Sequence, residues 1–301
     1  MSSPDTIDVL IVGGGPAGLS AALYLGRARR SVWVVDAGQP RHAVSEGVHN
    51  FLTRDGLPPA ALREEAWAQM KPYTSVRAYS ARVEGLEGPS DASQSWRAHL
   101  SDGVHVRARA VLLATGVIDE HPKIPGFQEK WGHSIHHCPY CHGFELRDRP
   151  LALLAEGEMI QHMAPLLLNW SQDLVVLSHG QRLDGEVQDE LRKREIPLHS
   201  APVTSLEGPG RELARIRLED GTTIERAGLF VQAKQRQVPL VAGLDLTLDE
   251  HGFVAVDAMA STGRPMLWAA GDLTSRFQQV VMAASQGAVA AGAINGALSA
   301  R

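Results

Sequence analysis

The chain has 301 residues, 44% of them hydrophobic, and 29 Lys and Arg against 34 Asp and Glu give it a formal net charge of −5. That length exceeds one typical domain, and the apolar share supplies two cores; the acidic balance and the lack of a long basic run exclude the footprint of a nucleic-acid binder or of a protein drawn to an anionic membrane. The N-terminus lacks a basic n-region and a small-residue cleavage site, and no apolar stretch is expected to reach membrane-spanning length, which points to a cytoplasmic enzyme.

The first apolar run, Val9–Val12, reads as a strand. It leads into Gly13-Gly14-Gly15-Pro16-Ala17-Gly18 and a helical stretch, Leu19–Leu25. Strand, glycine turn and helix in this order form a dinucleotide fingerprint: Gly13 for the tight turn, Gly15 for close approach of a pyrophosphate, Gly18 for helix–strand packing, with helix N–H groups facing the anion. A second strand, Ser31–Val35, ends at Asp36, an acid placed to accept adenosine ribose hydroxyls. Ala108–Leu113 reads as a buried strand that ends in Ala114-Thr115-Gly116.

Residues 117–237 need a core of their own and read as a second domain inserted into the first, with strands at Leu151–Ala155, Leu174–Ser178 and Leu229–Ala233; residues 1–116 and 238–301 form the outer, discontinuous domain. Early in the insert stands Ile135-His136-His137-Cys138-Pro139-Tyr140-Cys141-His142-Gly143-Phe144-Glu145, which holds both cysteines of the chain. A Cys-x-x-Cys pair in a reducing compartment argues for redox cycling rather than a structural staple. His142 and then His137 are the first choices for a proton acceptor, and His136 is weaker. The other histidines show no metal-ligand spacing, so no metal is expected. The chain returns through Gly252–Asp257 and Pro265–Asp272 and ends in an Ala/Gly-rich helix starting near Phe277.

Gly13–Gly18, Ala114–Gly116, Cys138–Cys141 and Ala270-Gly271-Asp272 followed by Gln278-Gln279 stand in the order seen in low-molecular-weight thioredoxin reductases, and nearly the whole chain resembles that family. The resemblance implies an α/β fold of two Rossmann-like domains with three-layer ββα architecture, an outer domain that binds FAD, an inserted NAD(P)H-domain-like module that carries the dithiol, and a homodimer. It implies FAD contacts from Gly13, Gly15, Pro16, Ala17, Gly18, Asp36, Ala37, Val83, Ala114, Thr115 and Gly116. Gly271 and Asp272 would lie at the phosphate and ribitol, Gln279 at the flavin pyrimidine edge, and Asn50 beside the isoalloxazine ring.

Two departures redirect the expectation. The turn that should hold NADPH falls on Ala155-Glu156-Gly157-Glu158-Met159-Ile160, with carboxylates where a pyrophosphate needs N–H donors. Ser178-His179-Gly180-Gln181, with Arg182 beyond, stands where the reductases place an arginine pair. His142 stands where they place an aspartate, and Cys-Pro-Tyr-Cys-His-Gly-Phe-Glu, with Val48–Gly56, resembles the thioredoxin-reductase-like dithiol oxidases, which close disulfides in microbial natural products with FAD and molecular oxygen. By that resemblance Cys138 is the interchange sulfur, Cys141 the partner on the flavin side, and a small dithiol the substrate. Two alternatives remain: a disulfide reductase using NADPH or another donor such as ferredoxin, and a flavin-binding redox sensor.

Overall fold

A computed structural model describes residues 6–88 and 95–300. The chain divides into two compact units: the described residues of 1–43, 50–118 and 235–301 form the first, and 44–49 with 119–234 the second. The six residues 44–49 cluster with the second unit.

The first unit is built on a seven-stranded sheet in the order Val76–Ser80, Val32–Asp36, Ile7–Val12, His105–Leu113, Trp96–Leu100, Val83–Glu87, with Leu267–Ala269 also paired to His105–Leu113. The central strands run parallel, with Val9 opposite both Val32 and Ala110. The apolar run Val9–Val12 is what a parallel strand covered on both faces requires, and Val9, Leu10 and Ile11 are fully buried. The helix Pro16–Arg27 starts with Pro at its first turn, where the missing N–H costs nothing. It packs on the last helix, Val280–Ser299, through Ala17, Gly18, Ala21 and Ala22 on one side and Ala283, Gly287, Ala290 and Ala291 on the other. A Cβ at Gly287 would lie 2.1 Å from the Ala17 carbonyl oxygen, so the two backbones approach as only glycine permits.

That last helix corrects one expectation. It is 20 residues long with a mean hydropathy of 1.3, long and apolar enough by length and composition to cross a membrane. Alanine and glycine give it that hydropathy without large side chains, and its small residues seat it on the first helix.

The second unit has a five-stranded parallel sheet in the order Leu198–His199, Leu174–Leu177, Leu151–Leu154, Gly228–Val231, Ile135–His136, and a separate antiparallel sheet of Val203–Glu207, Arg215–Leu218 and Thr223–Glu225. Alternate residues serve the two faces. Ala152, Val175, Leu177, Leu229 and Val231 pack against Leu206, Ile216 and Ile224 of the antiparallel sheet, while Leu151, Leu153, Val176 and Phe230 pack against Ile160, Leu167, Val187 and Leu191 of the helices Gly157–Leu167 and Gly185–Lys193. The result is a three-layer ββα unit.

Candidate active site

In the first unit the glycine turn sits at the carboxyl ends of the parallel strands. Gly13 has φ +110°, and a Cβ on it would lie 2.3 Å from the Ala114 oxygen, which brings the turn against Ala114-Thr115-Gly116. Gly15 is extended, and a Cβ there would meet nothing within 4 Å, so the backbone face at the start of the helix is open. Asp36 lies beside the same turn: a Cβ at Gly14 would fall 2.7 Å from its carboxylate oxygen. Gly271 completes the set, 3.0 Å from Ala17 by the same measure, with its N–H donating to Gln286 at 2.8 Å.

The structure therefore brings Gly13–Gly18, Asp36, Ala114–Gly116 and Gly271–Asp272 together. The other expected cofactor residues have different settings. Ala37 is exposed just past Asp36, and Val83 is a core residue opposite Leu100. Gln279 immediately precedes the last helix. Asn50, with φ +62°, opens a loop closed by its N–H donating to Asp55 at 2.8 Å.

Three basic residues that sequence reading passed over join this cleft. Arg63 donates to Asp36 at 2.5 Å, and Arg41 donates to Asp272 at 3.2 Å and to Gln278 at 2.7 Å. His42 lies near both arginines; burial first, then the Arg63 and Arg41 charges, lowers its proton affinity, and its Nε2 is buried with no partner among the described residues. A signal was present in Arg41-His42 soon after the ribose acid. An open glycine turn, an orphaned imidazole nitrogen and two guanidinium groups fit a pyrophosphate-bearing dinucleotide.

The dithiol lies in the second unit. Cys138 and Cys141 form a disulfide with Cα atoms 5.3 Å apart. Cys138 caps the short helical turn Pro139–His142, where its sulfur accepts the Cys141 N–H at 3.2 Å. Cys138, Cys141 and His142 are half-buried, whereas Tyr140 and Phe144 are exposed.

Around this turn the histidines are stacked. His142 lies on His136, ring centroids 4.1 Å apart and nearly parallel, while His49 meets it edge-on at 6.0 Å. Both ring nitrogens of His142 are buried and unpartnered among the described residues. Burial, and then the His49 charge, push its pKa down to about 4, with Glu46 opposing. His136 is buried, its Nε2 2.8 Å from the His133 carbonyl; desolvation and the neighbouring His142 hold it well below the usual range. His136 is thus the support on which His142 rests. His137 turns elsewhere and stacks on Trp131 at 5.9 Å. Among the described residues no set of three His, Cys, Asp or Glu side chains converges as a metal site.

The second glycine turn belongs to the same unit. Glu156 precedes the helix Gly157–Leu167 without capping it, and Glu158 sits in its first turn. The Lys234 ammonium is 4.0 Å from Glu156, an ion pair between largely exposed side chains, which in water contributes little. At the end of the next strand His179 accepts the Val203 N–H at 2.8 Å, and Arg182 is exposed.

An FAD-type cleft in one unit and a Cys-x-x-Cys disulfide in the other define a flavin-dependent thiol–disulfide oxidoreductase. The pyridine nucleotide-disulphide oxidoreductase family matches residues 7–287, and the chain belongs to it, as a thioredoxin-reductase-like flavoprotein that binds FAD. Thioredoxin reductase aclD of Aspergillus oryzae is 32% identical over 97% of this chain and 96% of its own length. Among solved structures, HlmI superposes with a TM-score of 0.94 at 35% identity, covering 99% of this chain and 95% of that one. An oxidoreductase from Agrobacterium tumefaciens gives 0.90 at 32% identity over 97% and 98%.

Proposed function

We propose that the protein is an FAD-dependent dithiol oxidase that closes a disulfide in a small-molecule dithiol, with molecular oxygen as electron acceptor and hydrogen peroxide as product. The observation that carries this reading is the pair of carboxylates at the second glycine turn. Glu156 and Glu158 stand where the helix N-terminus would have to receive a pyrophosphate, and like charges at that range repel it. Without a nicotinamide reductant, electrons enter from a dithiol and must leave by another acceptor.

The chain's own residues account for the thiol chemistry. A substrate thiolate attacks the Cys138 sulfur; the Cys138–Cys141 bond breaks and Cys141 leaves as a thiolate. The second substrate thiol gives its proton to His142 and attacks the substrate sulfur of the mixed disulfide, which expels Cys138 and releases the cyclised product. His142 is neutral while the disulfide is closed. A thiolate released on the same short turn favours its protonated form, so the base strengthens when it is needed. Gly13–Gly18, Asp36, Ala114–Gly116 and Gly271–Asp272 would hold FAD, which would supply a two-electron acceptor for the reduced cysteine pair and a route for those electrons to oxygen. The balance is one dithiol and one O2 to one disulfide and one H2O2.

We place the enzyme in the cytoplasm as a homodimer serving natural-product biosynthesis. Support for the dimer comes from an exposed apolar stripe of Tyr24, Val281, Met282 and Val289 on the first and last helices.

Stopped-flow absorbance tests the reaction. Mixed anaerobically, NADPH leaves the flavin oxidised and dithiothreitol bleaches it; air then restores the colour and yields peroxide. Fast bleaching by NADPH would return the protein to the ordinary reductases. Fast reduction by reduced ferredoxin, with slow reoxidation in air, would make it a reductase fed by that donor.

A further inference from the structure

The segment 44–49 comes from early in the chain yet is fastened to the second unit. His133 bridges two carboxylates, Nδ1 to Glu46 at 2.6 Å and Nε2 to Glu212 at 2.9 Å. Arg211 donates to the Val44 carbonyl at 2.6 Å. These contacts deliver His49 to the edge of the His142 ring, with its Nε2 3.6 Å from a Glu145 carboxylate oxygen. The groups around His142 are His136 of the strand behind it, His49 and Glu46 of the fastened segment, His137 before the turn, Glu145 after it, and the disulfide, which does not titrate.

We infer that His49 is a positioning residue of the dithiol site: its ring meets His142 edge-on at 6.0 Å and its Nε2 faces the Glu145 carboxylate at 3.6 Å, so that together they brace the His142 ring beside the disulfide. This rests on the reading of His142 as the base. Glu145 acts one step back, by holding the His49 ring.

The test uses the full-length flavoprotein and two variants, His49→Gln and Glu145→Gln, so that a folding failure in one leaves the other. The His142 ring signal, assigned by its loss in His142→Asn, is titrated by NMR, and the anaerobic reduction of the disulfide by dithiothreitol is followed against pH. In both variants the loosened His142 ring meets water, its midpoint rises toward the ordinary histidine value because burial is the main cause of its lowering, and the pH profile of the exchange step moves with it. An unmoved midpoint in the folded variants overturns the inference. Oxygen uptake, measured separately, tests the oxidase reading: moved midpoints in a protein inert to oxygen sustain the role of His49 and remove the oxidase, whereas peroxide formation with unmoved midpoints does the reverse.

Discussion

A histidine kept neutral by its surroundings carries a stability consequence as well as a chemical one. His142 has a folded-state pKa of about 4 against an ordinary value of 6.5. Between those values the unfolded chain binds more protons than the folded one, so stability is full above pH 6.5 and falls as the pH drops toward 4. The loss is on the order of 2–3 kcal/mol, by the free energy of one pKa unit. Urea melts across this range should show the slope, and His142→Asn should reduce it without abolishing it, because His136 in the same stack is also held well below its usual range. The same substitution should slow exchange with dithiothreitol by about 10²-fold, the usual scale for loss of a general base, while leaving the flavin spectrum intact.

At the scale of elements, close contact between the first and last helices sets the cofactor cleft. Gly287 faces the Ala17 backbone, one residue from Pro16 and Gly18 of the glycine turn. Gly287→Val drives a side chain into main chain that cannot fold away, at a cost of about 1–3 kcal/mol. Thermal melts and the flavin-to-protein absorbance ratio should both fall, because the displaced turn is the one we propose for the pyrophosphate. Elements with a strong short-range signal were legible in the sequence: the apolar run Val9–Val12, the glycine turn, and the Cys-Pro-Tyr-Cys turn. Those that depend on distant partners were not. Asp36 was readable as an acid at a strand end, but its partner Arg63 lies on another helix. Nothing in the sequence around His49 points to His142, far along the chain. Gly252–Asp257 forms no regular strand; Asp249 and Asp257 instead fold it into side-chain-capped turns, accepting N–H groups of Phe253 and Ser261.

For the whole molecule, the exposed stripe on the last helix predicts assembly. Met282 and Val289 stand two turns apart and Val281 beside them, all more than a third exposed, and such a stripe is costly to leave in water. Light scattering should give twice the chain mass, and Met282→Glu with Val289→Glu should give the single chain. A single chain from the unsubstituted protein would discard the homodimer. The fastened segment 44–49 bears on how this architecture can be recombined. The insert looks like a cassette that begins and ends at two crossings, yet its histidine stack draws on six residues encoded ahead of the first. A chimera that grafts residues 119–234 onto a relative's flavin domain would inherit the disulfide and lose the brace beside it. Exchange of catalytic character between such enzymes therefore has to move two stretches of sequence together.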